Sequence, residues 1–154
     1  LSEYQPFRVF VLSLKRIPDQ GFFQKQKLLS EKLKSKKSLF FLLDFEENNS
    51  SHKNLYAKMQ EVSSELPVIV SDRSELSDVM FSTFSHLSLN TILVEGGNLL
   101  YRMFAERLNK EDLIYFIRTE SSIAAGISPD IDLLSKKKIY EKKIDTDTWE
   151  VYGE

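Results

Sequence analysis

Apolar runs of five to eight residues recur along this chain, and between them lie stretches whose apolar residues return every three or four positions. That alternation predicts an α/β layered sheet rather than a sandwich or a helical bundle, because strands and helices taken in turn bury one another's apolar faces. Strands are expected over 7–14, 39–43, 67–71, 91–95, 113–119, 138–144 and 148–152. Phe-Arg-Val-Phe-Val-Leu from Phe7, Leu-Phe-Phe-Leu-Leu from Leu39 and Thr-Ile-Leu-Val from Thr91 are nearly unbroken apolar stretches. They read as central strands covered on both faces, as in a mostly parallel sheet. The last two runs instead alternate polar with apolar around Asp145-Thr146-Asp147. This predicts an antiparallel hairpin near a sheet edge, with lysines opposing further pairing. The expected architecture is three-layered: a mostly parallel sheet, helices on both faces and a C-terminal antiparallel hairpin.

Helical spacing is clearest in the second half. Over 74–88, Leu76, Val79, Met80, Phe84 and Leu87 fall on one face, and Asp72 followed by Glu75 resembles a capping box. Over 98–108, Leu99, Leu100, Met103, Phe104 and Leu108 form one stripe directly after Gly96-Gly97. Two earlier helices are expected over 25–35, with Leu28, Leu29 and Leu33, and over 53–63, with Leu55, Met59 and Val62. The polar stretch 46–51 between them reads as a surface loop. No internal repeat and no long linker divides the sequence, so a single domain over 1–154 is expected.

Composition removes several function classes. With 154 residues, 42% of them hydrophobic, the chain can build one sizeable core, burying roughly 70% of the surface that the unfolded chain exposes. Its 21 Lys and Arg against 23 Asp and Glu give a formal charge of -2, so no global field draws it to nucleic acid or to an anionic membrane. The basic stretches 32–37 and 136–143 read as solvated faces. There is no cysteine, which excludes disulfides and thiolate chemistry, and His52 and His86 are too few for a histidine metal site. Both read as surface residues without a role. Apolar runs too short for a bilayer and an N-terminus unlike a signal peptide predict a soluble, cytoplasmic protein. The start at Leu1 reads as that of a processed or excised chain. Trp149 reads as a core or interface anchor.

The segment richest in chemistry is Thr91-Ile-Leu-Val-Glu-Gly-Gly-Asn-Leu-Leu100, a strand pattern that ends in a carboxylate and two glycines before a helical pattern begins. In open α/β sheets, ligands bind beyond the carboxyl ends of the strands. Gly96 and Gly97, lacking Cβ atoms, let backbone approach a ligand, and the amides that open a helix at Asn98 can donate to a phosphate. Glu95 could accept hydrogen bonds from ribose hydroxyls or substrate amino groups. Local chemistry leaves a second reading open, in which the glycines are only a tight connection and Glu95 caps backbone amides. Neither G-x-G-x-x-G nor G-x-x-x-x-G-K-[ST] is present, so a standard dinucleotide fold and a phosphate-loop ATPase lack support.

Ile92-Leu-Val-Glu-Gly-Gly-Asn-Leu-Leu100 resembles the signature of the C-terminal reductase domain in the bacterial bifunctional deaminase-reductase family of riboflavin synthesis. Weaker likenesses agree in order: Gln5-Pro-Phe-Arg-Val-Phe-Val with the family's proline-arginine-valine strand, a helix over 76–87, Leu108-Asn-Lys-Glu-Asp-Leu-Ile-Tyr-Phe-Ile117 with its leucine-valine-aspartate-glutamate segment, and Gly126 with a later glycine. The resemblance implies a dihydrofolate-reductase-like fold and NADPH-dependent reduction of a ribosylamino-uracil phosphate to the ribitylamino form. It implies that Glu95 faces substrate while Gly96, Gly97 and Asn98 lie along NADPH, and that two copies pair as a homodimer. In such chemistry the cofactor supplies the hydride and the protein supplies position and field. No proton-transferring residue is assigned.

The sequence also departs from that family. It has no match to the upstream serine-x-aspartate-glycine region or to the zinc deaminase domain, so the likeness is to a partial reductase domain. Arg118-Thr119 replaces the usual alanine-proline, and 121–128 is a serine-rich variant of the loop that follows. Two rival readings therefore stand beside the reductase: a noncatalytic homologue retained for dimerisation or partner binding, and a folate-type reductase of the same fold.

Overall fold

The computed structural model describes residues 6–94, 98–119 and 136–154, with only the backbone described at 98, 99, 116, 118 and 119. Contacts divide the chain into two compact units, Leu1–Asn90 and Thr91–Glu154.

The first unit alternates strand and helix: β1 (Arg8–Ser13), α1 (Gln20–Leu33), β2 (Ser38–Leu43), α2 (Ser50–Val62), β3 (Val68–Val70), a 3-10 turn (Arg73–Glu75) and α3 (Leu76–His86). The strands form a parallel sheet in the order β1-β2-β3, with Phe10 opposite Phe40 and Leu43 opposite Val70. Every side chain of the central strand β2 is at most 2% exposed, as its unbroken apolar sequence requires. Alternate residues of β2 point to opposite faces. Phe40 and Leu42 pack with Phe23 of α1 and with Leu55, Met59 and Val62 of α2. Phe41 points the other way and meets Phe84 of α3 edge-on at 6.0 Å. The expected helices on both faces are therefore present in this unit, with α1 and α2 on one side and α3 on the other. Right-handed crossovers between adjacent strands laid down in chain order bring both intervening helices to one face.

Both early helices begin sooner than their apolar spacing predicts, because polar caps set their starts. The Asp19 carboxylate accepts from the Phe22 amide at 2.8 Å and opens α1. The Asn49 side chain accepts from the Ser51 and His52 amides and opens α2, so Ser50 and Ser51 are helical rather than part of a loop. α1 ends at Lys34, which adopts left-handed backbone at φ 49° while its amide and that of Ser35 donate to Glu31 and Ser30 carbonyls. At the opposite edge of the sheet from its carboxyl ends, the Arg8 guanidinium donates to Gln26, Ser30 and Ser38 and so ties β1 to α1 and β2.

The second unit contains α4 (Asn98–Ala105), β4 (Ile114–Thr119), β5 (Lys137–Ile144) and β6 (Asp147–Gly153). The expected hairpin forms, closed by a turn in which Asp145 takes φ 58°, a backbone conformation that aspartate tolerates better than most residues. Its surroundings correct the sequence reading. β4 pairs antiparallel with β6, giving a separate sheet in the order β4-β6-β5, so half of the described strands are antiparallel. The burial of Ile114 next to exposed Tyr115 shows the period of two that such a strand carries. The run Thr91–Val94 also differs from expectation. It forms no strand among the described residues, and Leu93 is 78% exposed. An apolar run becomes a strand only where a neighbour accepts its backbone hydrogen bonds.

Candidate functional site

Glu95, Gly96 and Gly97 lie outside the described residues, and of Asn98 only the backbone is described, as the first residue of α4. Gly126 also lies outside them. Among the described residues, the best-formed polar constellation stands instead at the carboxyl edge of the parallel sheet.

Its position follows from the path of the chain. β2 is followed by α2 on one face of the sheet and β3 by α3 on the other, so the connections leave these adjacent strands in opposite directions. Such a divergence at the carboxyl ends of adjacent strands is where open α/β sheets take their ligands. Asp44 follows β2 directly and Arg73 begins the 3-10 turn after β3. Arg73 Nη2 donates to Asp44 Oδ2 at 3.0 Å, so the ion pair spans this divergence. Ser13, the last residue of β1, donates its hydroxyl to the same Asp44 oxygen at 2.6 Å and accepts from Arg73 Nη2 at 3.3 Å. Lys15 Nζ lies 3.2 Å from Asp44 Oδ1. One carboxylate at the end of β2 thus collects donors from the ends of β1 and β3, so that all three parallel strands meet at it.

The electrostatics follow from those contacts. The Ser13 hydroxyl first, then Arg73, with Lys15 adding to them, hold the Asp44 carboxyl down to about 2 against a smaller opposing effect of burial. It is ionised at every ordinary pH. Asp44 also takes left-handed backbone at φ 60°, a conformation that L-residues adopt at some cost and that recurs at functional sites. Asp72, beside Arg73, is held below the usual carboxylate range by the Ser74 amide and hydroxyl, which it caps at 2.8 Å. Among the described residues Arg73 makes its bonds through Nη2, which leaves most of the guanidinium's five N–H donors unspent. Its side chain and that of Lys15 are more than half exposed. The edge therefore offers a fixed anion flanked by two reachable cations, a set able to hold a phosphate or to orient a polyhydroxyl group.

Nearby, a shallow hollow of about 280 Å³ lies between the β1–α1 connection and α2, lined by Ile17, Phe23, Asn54, Leu55 and Lys58 among others. It is apolar below and polar at its rim. A second open hollow of about 410 Å³ lies toward the end of α1, among Lys27, Lys34, Lys36 and Glu61. His52 corrects the sequence reading: it is buried in the first turn of α2. Its Nδ1 accepts from the Glu46 amide at 3.0 Å, and its ring lies 6.0 Å from that of Phe45, which makes it a structural residue beneath the loop after β2. No three His, Asp or Glu side chains converge among the described residues. No helix among them is long and apolar enough to cross a membrane.

Sequence reasoning passed over Ser13, Asp44 and Arg73. The signal was present, since each polar residue falls at or just after an apolar run that becomes a parallel strand. Which strands would be adjacent, and hence which ends would meet, was not in the sequence pattern. No protein-family model, no curated protein and no solved structure matches this chain.

Proposed function

We propose that this chain is the nucleotide-facing part of a nicotinamide-dependent reductase with a dihydrofolate-reductase-like fold. It uses NADPH to reduce a ribosylamino-pyrimidine phosphate to its ribitylamino form. The observation that carries the reading is the Asp44–Arg73 ion pair across the carboxyl ends of β2 and β3. A dinucleotide needs cations for its phosphates and an acceptor for its ribose hydroxyls, and this edge supplies both. Glu95, Gly96, Gly97 and Asn98 remain part of the proposal, the glycines for close backbone approach to the cofactor and Glu95 for the substrate.

The test is an NADPH titration of the chain followed by nucleotide fluorescence. Arg73→Ala should weaken binding roughly tenfold or more, as loss of one charge-assisted phosphate contact does. Gly97→Val should abolish it while the circular dichroism stays unchanged. Equal affinity in both folded variants would remove the cofactor from the proposal.

One feature favours the rival, noncatalytic reading. The charges at this edge already satisfy one another, as they would in a clasp that only ties three strand ends together. On that reading Arg73→Ala lowers stability and the unsubstituted chain binds no NADPH.

A further inference from the structure

The groups at the carboxyl edge of the parallel sheet decide which part of a dinucleotide they can meet. A pyrophosphate needs backbone that approaches it closely, which glycine allows. Residues 1–90 hold one glycine, Gly21, and it lies in α1 rather than at a strand end. The strand ends present side chains instead: the Ser13 hydroxyl, the Asp44 carboxylate and the Arg73 guanidinium. Such side chains suit a ribose and its substituent. In dinucleotide-binding α/β sheets a carboxylate near the strand ends accepts from the ribose 2′-hydroxyl of NADH, whereas an arginine nearby takes the 2′-phosphate that distinguishes NADPH. This edge has both.

Their balance leans toward the hydroxyl. Asp44 Oδ2 accepts from Ser13 and Arg73, and Oδ1 has Lys15 at 3.2 Å, which leaves Oδ1 room for a further donor. A ribose hydroxyl supplies that donor. A phosphate monoester, largely without protons near neutral pH, does not. It meets instead a carboxylate that is held down to about 2 and so stays charged beside it. Arg73 still offers Nε and Nη1, but its Nη2 is committed to Asp44 at 3.0 Å, so its charge is already partly answered. The wider edge is no better disposed to a dianion. The connections 14–19, 44–49 and 71–75 carry Lys15, Arg16 and Arg73 against Asp19, Asp44, Glu46, Glu47, Asp72 and Glu75, three cations to six carboxylates.

We propose that Asp44 is a specificity-determining residue, which accepts from the 2′-hydroxyl of NADH and cancels the advantage that Arg73 gives to the 2′-phosphate of NADPH. The chain then takes both nucleotides. This departs from the NADPH dependence that the family resemblance implies. It rests on the reductase reading and goes beyond it, since that reading requires only that NADPH binds.

Titrations of the full 154-residue chain with NADPH and with NADH, followed by nucleotide fluorescence at fixed ionic strength, test it. The two dissociation constants should lie within roughly tenfold of each other. Asp44→Asn keeps a side chain that tolerates φ 60° and removes the charge. It should tighten NADPH roughly tenfold and loosen NADH about threefold, as loss of one hydrogen bond does. Arg73→Ala supplies the opposite arm, weakening NADPH roughly tenfold while NADH changes by less than about twofold. Circular dichroism of both variants should match that of the unsubstituted chain. If both nucleotides bind and Asp44→Asn leaves their ratio unchanged, Asp44 only ties the strand ends together, and the proposal falls while the reductase reading stands. A preference of the unsubstituted chain for NADPH of about a hundredfold or more overturns it equally. Binding of neither nucleotide to any of the three proteins removes the reductase reading and this inference with it.

Discussion

Asp44 combines left-handed backbone, a hydroxyl donor, an arginine and a lysine at the end of the central parallel strand. Its pH dependence follows from the direction of its shift. A carboxyl lowered from 3.8 to about 2 in the folded chain stabilises the fold above its unfolded value and stops doing so as pH falls through about 4 to about 2. Asp44→Asn keeps a side chain that tolerates positive φ but cannot ionise. Urea midpoints of the two proteins should differ by a constant amount between about pH 5 and 7 and converge near pH 2. A difference that persists unchanged at pH 2 would mean that the shape of the side chain, not its charge, supports the strand ends. His52 teaches the opposite lesson at the same scale. Its place in a polar stretch made it look superficial, but a helix start at Ser50 turned its ring inward beneath Phe45.

At the level of elements, the caps decide boundaries that apolar spacing left vague. α1 and α2 start where Asp19 and Asn49 accept orphan amides, five and three residues before the expected positions at Lys25 and Lys53. Lys34 ends α1 at φ 49°, where glycine would carry no Cβ penalty. Lys34→Gly should therefore stabilise the chain by roughly 0.5–1 kcal/mol, provided its greater unfolded-state freedom does not cancel the gain. Thermal unfolding would register this as a higher midpoint, and a lower one would show that the lysine stem contributes packing that outweighs the strain. The hairpin was readable because Asp145-Thr146-Asp147 sits between two alternating runs. Thr91–Val94 was misread because its composition fits a buried strand, and composition carries no information about a pairing partner.

At the scale of the molecule, the three-layer arrangement of the first unit hangs on β2, whose alternate side chains serve two different cores. Phe40 belongs to the α1–α2 side and Phe41 to the α3 side. Phe41→Ala should cost roughly 3–5 kcal/mol, as the loss of a buried aromatic ring typically does. The same substitution at Phe81, half-buried on α3, should cost much less. Chemical denaturation of both variants would separate them, and equal losses would show that the α3 side is not packed as a core. The sequence by itself determined the α/β alternation, the buried character of β2, the faces of α2 and α3 and the C-terminal hairpin, because these depend on periodicity and on contacts within a few residues. Tertiary structure alone decided that β4 joins the hairpin in a second sheet, that Thr91–Val94 forms no strand among the described residues, and that Ser13, Asp44 and Arg73 meet. Those outcomes depend on which strands become neighbours, and a strand's partner is chosen by the hydrogen bonds and buried surface of the whole assembly rather than by its own residues.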